Sequence, residues 1–158
     1  MIDLTPAIQD HYPDDVAHCY GCGRLNREGL QLKSRREGDE IVARFRPRPH
    51  HTAIPGFVYG GLIASLIDCH AMGTAAAHAE RAAGREIGEA PAPRFVTGRL
   101  CVDYLKPTPL GPELELRGRV KESTARKAVV EVTVAAAGEI TARGEVVAVP
   151  MPESMGRK

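Results

Sequence analysis

The chain has 158 residues and a mass of 17.0 kDa, which fits one compact domain better than two. Its 21 Lys and Arg residues balance 20 Asp and Glu residues without a concentrated basic block, which argues against a nucleic-acid-binding protein. No apolar run reaches the roughly 18 residues of a membrane-spanning helix, and the acidic N-terminus lacks the apolar segment of a secretory signal. Four scattered cysteines do not suggest a disulfide scaffold, so we expect a cytoplasmic protein.

Three segments are predicted in chain order. Residues 1–17 contain Pro6, Pro13 and several acids with little periodicity, and predict an N-terminal arm that is loosely structured or forms a short helix. Residues 18–149 are predicted to form the folded domain. The tail, residues 150–158, begins with Pro150-Met151-Pro152 and cannot continue a central strand, because proline has no N–H to donate.

Alternating apolar residues predict about six β-strands. Two precede residue 50, separated by a turn at residues 37–40, and four follow residue 93, with turns at 106–109 and 136–139. Such short separations are typical of antiparallel hairpins. The apolar residues that mark the six strands are Leu30 and Leu32; Ile41, Ala43 and Phe45; Phe95 to Leu105; Leu114, Leu116 and Val120; Val130, Val132 and Val134; and Val146, Val147 and Val149.

Residues 60–83 are different, because they are rich in alanine, free of proline and apolar nearly all round for the first four turns. This composition predicts a long helix buried inside the protein, ending near Gly84. The predicted fold class is therefore α+β, with one long central helix wrapped by a curved antiparallel β-sheet of about six strands.

Asp68 is the only acid in the apolar part of this helix. An ionised carboxylate beside Leu66, Ile67 and Met72 is costly unless it is paired or hydrogen-bonded. Two interpretations remain open from the residues alone. One is a structural hydrogen bond to neighbouring backbone, and the other is catalysis, which buried carboxylates with shifted pKa values favour.

The helix begins with two adjacent glycines, in the sequence Pro55-Gly56-Phe57-Val58-Tyr59-Gly60-Gly61. Glycines let a ligand approach the backbone closely. Their N–H groups lie at the positive end of the helix dipole, where an anion or a polarised carbonyl oxygen binds. The alternative interpretation is an ordinary glycine-rich turn into a helix.

The spacing between Gly60 and Asp68 predicts a dimer. Eight residues of helix separate them by about 12 Å, whereas a catalytic base acts within about 3 Å of the reacting atom. One chain therefore cannot apply both groups to a single carbonyl. Two antiparallel helices related by a twofold axis can, since each site takes N–H donors from one chain and Asp68 from the other.

At these residues the sequence resembles the hotdog-fold thioesterases, in particular the phenylacetate-pathway type and the group around thioesterase superfamily member 4. The resemblance covers about residues 18–149. It is carried by Cys19-Tyr20-Gly21-Cys22-Gly23, by the specific stretch from Pro55 to Asp68, and by Val102-Asp103-Tyr104-Leu105-Lys106-Pro107. The resemblance implies a hotdog fold and hydrolysis of an acyl-thioester, usually acyl-CoA.

The resemblance also implies the roles of individual residues. The N–H of Gly60, with Gly61 beside it, holds the thioester oxygen, Asp68 of the partner subunit attacks or activates water, and Thr97 assists. Relatives often have His-Gly-Gly where this chain has Tyr59-Gly60-Gly61, and an Asn in the preceding loop, where this chain has residues 50–54 without one. Tyr59 and His51 are the candidates to replace these polar groups.

Other candidates have plain structural alternatives. Cys19 and Cys22 look like half a zinc site, but no second cysteine pair exists, and packing as small apolar residues under the sheet is favoured. Cys69 points about 100° away from Asp68 around the helix and is expected to face the sheet. Three basic residues are candidates to bind the CoA phosphates or are simply solvated turn charges: Lys106, Arg126 and Lys127.

We therefore predict an acyl-CoA thioesterase that forms a homodimer or a dimer of dimers. No metal, no cofactor beyond the CoA of the substrate, and no nucleic-acid or membrane partner is expected. Two alternatives remain: a hydratase or dehydratase of acyl-thioesters on the same scaffold, and a non-catalytic acyl-CoA-binding or regulatory protein.

Overall fold

The computed structural model describes residues 5–156 of the chain, so the first four and the last two residues of the predicted arm and tail lie outside the description. It contains six strands and one long helix. The strands are β1 (Ser34–Glu37), β2 (Glu40–Phe45), β3 (Phe95–Tyr104), β4 (Leu114–Ser123), β5 (Ala128–Ala136) and β6 (Glu139–Pro150), and the helix α1 is Gly60–Ala82. The predicted α+β architecture is confirmed.

All six strands form one antiparallel sheet in the order β1-β2-β4-β5-β6-β3. Two of the three predicted turns form hairpins: Gly38 separates β1 from β2 with a positive φ of 62°, and Ala137 and Gly138, with φ of 50° and 80°, close the hairpin between β5 and β6. Positive φ at both central residues gives the two-residue turn that matches the twist of a hairpin. The predicted turn at residues 106–109 does not form a hairpin, because β3 pairs with β6 and not with β4. Because β3 is the last strand in this order, one of its edges has no partner within the described chain.

The first strand begins later than predicted. Leu30 and Leu32 precede β1, because their N–H groups donate to the carbonyl oxygens of Tyr20 and Gly21 instead of to a strand. Gln31, between them, has a φ of 57°, which no strand residue adopts. Leu32 is nevertheless buried, so the apolar pattern reports burial of this segment and not its secondary structure.

Helix α1 fills the concave side of the sheet. Leu66 and Ile67 are fully buried, and the surrounding core contains residues of β2, β4, β5 and β6. The helix ends as predicted: Gly84 has a φ of 77°, its N–H donates to the Arg81 carbonyl, and the N–H of Arg85 donates to the Glu80 carbonyl. This pair of bonds satisfies carbonyls that the end of a helix leaves open.

The N-terminal arm is not loosely structured in its described part. Two short 3₁₀ turns, Ile8–His11 and Asp14–Val16, place Ile8 and Tyr12 in a second apolar cluster with Ala76 and Ala77 of α1. Of the two alternatives predicted for the arm, the short helix is therefore nearer to the structure, although such short turns have too few residues to show an apolar period. None of the helices in residues 5–156 combines the length and hydrophobicity that crossing a bilayer requires.

Candidate active site

Asp68 and Thr97 meet at the edge of the sheet. The Thr97 hydroxyl on β3 donates a hydrogen bond to the Asp68 carboxylate, with 2.5 Å between Oγ1 and Oδ1. The Asp68 side chain comes from the third turn of α1 and is half-buried, whereas Thr97 is exposed. The structure thus brings together two residues that the sequence placed 29 positions apart, and it supplies the partner that a carboxylate in an apolar helix requires.

A cavity of about 210 Å³ opens beside this carboxylate. Burial raises the pKa of Asp68 above its usual value, while the hydrogen bond from Thr97 and the nearby charge of Arg94 act in the opposite direction. Arg94 lines the same cavity and stacks over the Tyr12 ring, 4.6 Å from its centroid. Arg94 was not singled out in the sequence, because an isolated arginine before a strand gives no signal of what it contacts.

The start of α1 presents the predicted N–H groups. Tyr59 is the N-cap residue and makes no side-chain cap, and the N–H groups of Gly60 and Gly61 have no hydrogen-bond acceptor within residues 5–156. The Tyr59 ring lies over Gly61 so closely that a Cβ there would be 2.5 Å from a ring carbon. Glycine at position 61 therefore makes room for the ring, in addition to any role in binding.

His51 and Tyr59, the candidates to replace the polar groups of relatives, lie together. The Tyr59 N–H donates to the His51 carbonyl at 2.9 Å, and both residues line a cavity of about 270 Å³ with Gly61. Burial, with the nearby His50 and Arg48, lowers the pKa of His51. Its Nδ1 accepts a hydrogen bond from the Arg48 N–H, so the neutral ring is held with Nε2 as the donor.

Tyr104 makes a contact with the helix start that was not predicted, although this residue lies in a stretch that carries the resemblance. Its hydroxyl donates to the Gly60 carbonyl oxygen at 2.7 Å. Burial raises the pKa of Tyr104, with a smaller contribution from Tyr59, which lies near it. Two tyrosines therefore flank the glycines at the helix start.

The two halves of the candidate site are separate within one chain. The cavity beside Asp68 and the cavity beside Gly61 have no lining residue in common in the described structure. This separation agrees with the about 12 Å that eight helical residues impose.

The cysteines are arranged differently from the prediction. Cys69 does not face the sheet; it faces Cys19, with 3.7 Å between the two sulfurs, and the sulfur of Cys22 lies within 4.8 Å of both. Cys19 and Cys22 accordingly pack against α1 and not under the sheet. Helical phase alone gave the direction of Cys69 relative to Asp68, but it could not say on which side the loop with Cys19 and Cys22 lies.

The three basic candidates lie in two places. Lys106 follows β3 and forms an ion pair with Glu139, so its charge is already matched. Arg126 and Lys127 lie in the turn between β4 and β5, as predicted. Lys127 lines a cavity with Ala79 and Ala82 at the far end of α1, so Lys127 and the adjacent Arg126 are not next to Gly60 of the same chain.

Comparisons with known proteins define the family. A model of the thioesterase superfamily matches residues 55–149, which include Gly60, Asp68 and Thr97. A thioesterase superfamily protein from Shewanella loihica PV-4 is 51% identical and superimposes with a TM-score of 0.67, covering 88% of this chain and 98% of that chain. The chain belongs to the thioesterase superfamily.

More distant structures share the fold. The PaaI protein of the phenylacetic acid degradation operon of E. coli is 13% identical, with a TM-score of 0.62 over 78% of this chain and 81% of that chain. A Streptococcus mutans UA159 protein bound to acetyl-CoA is 20% identical, with a TM-score of 0.59 over 80% and 91%. They confirm the hotdog fold. No curated protein sequence matches the chain significantly.

Proposed function

We propose that the chain is an acyl-CoA thioesterase, which hydrolyses an acyl-thioester to the free acid and CoA. Membership of the thioesterase superfamily supports the reaction class. The acetyl-CoA in the Streptococcus mutans neighbour is consistent with an acyl-CoA ligand for this fold. The observation that carries the proposal is the hydrogen bond from Thr97 to Asp68, because it holds a carboxylate at the opening of a cavity without neutralising its charge.

The proposed chemistry needs an acceptor for a proton and donors for an oxyanion. Asp68 removes a proton from water as the water oxygen bonds to the thioester carbon, and the negative charge that develops on the carbonyl oxygen is stabilised by the N–H groups of Gly60 and Gly61. Collapse of the tetrahedral intermediate breaks the carbon–sulfur bond, and the CoA thiolate leaves. Direct attack by the Asp68 carboxylate, followed by hydrolysis of the anhydride, uses the same groups.

A homodimer completes the site in this proposal. β3 contacts α1 at both ends, through Thr97 and Asp68 at one end and through Tyr104 and Gly60 at the other. If two copies of β3 pair antiparallel about residues 100–101, Thr97 of one chain lies opposite Tyr104 of the partner subunit. Asp68 then lies at the same level as the partner's Gly60, which removes the separation present in one chain.

The surface of β3 suits such pairing. Leu100, Val102 and Tyr104 pair with β6 residues that are buried under the helix, so they face the helix side of the sheet, yet Leu100 and Tyr104 are exposed. Exposed apolar side chains along an open strand edge indicate an interface. Lys127 lies on the Asp68 side of the chain, because its cavity shares Phe95 with that of Asp68, and we propose that Lys127 and the adjacent Arg126 contact the CoA phosphates from there.

Release of free thiol from a saturated acyl-CoA tests the reaction. We expect turnover by the wild-type chain and a loss of at least about 100-fold in Asp68→Asn, which keeps the shape of the side chain and removes its basicity. Asp103→Asn, which removes an exposed carboxylate from the same strand edge, is the matched control and should retain turnover. Thermal stabilisation by acyl-CoA without thiol release would contradict hydrolysis and support a binding protein instead.

A further inference from the structure

Three cysteine sulfurs from two distant parts of the chain meet beside Asp68. Cys19 and Cys22 come from the loop before β1, and Cys69 comes from α1; their sulfurs all lie within 4.8 Å of one another, and those of Cys19 and Cys69 are 3.7 Å apart. Sulfurs bound to one tetrahedral zinc ion at about 2.3 Å are about 3.8 Å apart. A disulfide requires about 2.05 Å. The separation of Cys19 and Cys69 is therefore too long for a sulfur–sulfur bond; it is the distance of a thiol–thiol hydrogen bond and also that of two sulfurs on one cation.

The loop that carries Cys19 and Cys22 is held in place by its backbone. The N–H of Gly23 donates to the Cys19 carbonyl at 2.7 Å, and the Gln31 side chain donates to the Gly23 carbonyl at 2.7 Å. Gly21 is pressed against Cys69, since a Cβ at position 21 would be 2.2 Å from the Cys69 sulfur. Ligands fixed in this way do not lose conformational freedom when an ion binds.

The charge around the cluster is also suited to a bound ion. Three thiolates and one divalent cation carry a net charge of −1, and the positively charged Arg94 lines the same cavity as all three cysteines. Cys22 and Cys69 are buried and Cys19 is partly exposed, toward the cavity of about 210 Å³ that Asp68 and Arg94 also line. An ion can enter and lose its water from this side.

We propose that Cys19, Cys22 and Cys69 form a binding site for a thiophilic cation, best fitted by Zn²⁺, whose fourth coordination position is open to the cavity beside Asp68. Binding displaces the thiol protons into solvent and requires no redox step. The ion ties the loop before β1 to the turn of α1 that carries Asp68. This site is independent of the proposed hydrolysis, because none of the three cysteines takes part in that reaction.

Metal titration of the full chain tests the proposal. The protein is reduced, freed of metal with a chelator, and titrated anaerobically with Co²⁺, whose thiolate charge-transfer and ligand-field absorption report sulfur ligands, and then with Zn²⁺ in competition. We expect one ion per chain and displacement of Co²⁺ by Zn²⁺. We also expect a higher melting temperature in the zinc-bound chain than in the metal-free chain.

Serine variants locate the ligands. Cys19→Ser, Cys22→Ser and Cys69→Ser should each weaken binding by more than about 100-fold, beyond the 10- to 100-fold that loss of an outer-shell partner costs. Cys101→Ser, which changes the exposed cysteine on β3, should bind as the wild type does. Far-ultraviolet circular dichroism of each metal-free variant identifies those that remain folded, and the partly exposed Cys19 provides the variant that perturbs the core least.

Two results would overturn the proposal. One is the absence of a thiolate-to-cobalt absorption band in the folded wild-type chain, whether the cysteines remain free thiols or form a disulfide. The other is metal binding that persists in the folded Cys19→Ser variant. Asp68→Asn should retain the metal and lose hydrolysis, so failure of this site and failure of the proposed function give different results.

Discussion

The hydroxyl of Tyr104 lies 2.7 Å from the carbonyl oxygen of Gly60, to which it donates a hydrogen bond. This contact joins the end of the edge strand to the first turn of the helix. Because Thr97 joins the other end of the same strand to Asp68, the strand fixes the position of both candidate groups. The proposed catalytic geometry thus depends on ten residues of β3 as much as on the helix.

The contact between Thr97 and Asp68 predicts the effect of changing Thr97. In Thr97→Val, kcat should fall by about 10- to 100-fold, because a hydrogen bond to a charged group contributes about 1.5–3 kcal/mol. Thr97→Ser keeps the hydroxyl and should recover most of the activity. Steady-state kinetics of thiol release measure both variants, and a valine variant with wild-type kcat would show that the contact has no part in turnover.

The close approach of the Tyr59 ring to Gly61 predicts a coupling between the two positions. Gly61→Ala should leave stability within about 1 kcal/mol of wild type, because the ring is exposed enough to move and alanine is the better helix former. The displaced ring enters the adjoining cavity, so KM should rise. In a Tyr59→Ala background the same substitution should have no further effect on KM, and additive effects in this double-mutant cycle would refute the explanation.

The exposed side of β3 predicts how the chain self-associates. Leu100→Glu places a charge among the exposed apolar residues of this edge, so it should shift the chain to the monomer and abolish thiol release together. Ile140→Glu makes the same change outside the edge strand and should affect neither property. Sedimentation velocity measures the oligomeric state of both variants, and thiol-release assays at the same protein concentrations measure their activity. An active Leu100→Glu monomer would exclude a site shared between subunits.

The close packing of Gly144 in β6 against the helix predicts that a larger side chain at this position destabilises the chain. A Cβ at Gly144 would lie 2.3 Å from the Cγ2 of the fully buried Ile67, and neither backbone can move away freely. We expect Gly144→Ala to destabilise the chain by about 1–3 kcal/mol. Denaturant unfolding measures this loss. Gly111→Ala, where the added Cβ has open space but φ is 128°, separates the cost of backbone strain from that of the clash.

His70 predicts a pH dependence of stability. It is fully buried; its Nε2 faces the Ile41 carbonyl at 2.9 Å and must donate, while its Nδ1 faces the Ser34 hydroxyl at 2.8 Å and accepts. Burial lowers the pKa of His70 to about 4, below the usual value of about 6.5. The unfolded chain therefore binds the proton first, and this contribution to stability, present above about pH 6.5, is lost as the pH falls toward 4.

The expected loss from His70 approaches 3 kcal/mol, since one pKa unit corresponds to about 1.4 kcal/mol. Unfolding free energies between pH 7.5 and 4.5 in the presence of a chelator measure it. His70→Gln removes the titrating group. The difference in unfolding free energy between the wild-type chain and this variant therefore gives the contribution of His70 separately from those of the thiols and carboxylates. The same pH slope in both chains would disprove the assignment.

Much of the fold follows from local patterns. The helix was predictable because residues 60–83 are rich in alanine, free of proline and apolar nearly all round for the first four turns. The hairpin turns at Gly38 and Gly138 were predictable because glycine adopts positive φ readily. The contact between Thr97 and Asp68 was implied only by resemblance, because no local rule pairs residues 29 positions apart. The position of Cys69 opposite Cys19 was missed because it depends on how an irregular loop packs on the helix.

The open edge of β3 links solubility to function in the proposed dimer. A strand with unpaired N–H and C=O groups recruits any other chain that offers a matching edge, which is the usual origin of aggregation in β-proteins. Pairing with its own copy saturates those groups and, in the same event, assembles the reaction centre. Selection against precipitation and selection for turnover would then act on the same short stretch of sequence, so substitutions tolerated elsewhere on the surface should be scarce there.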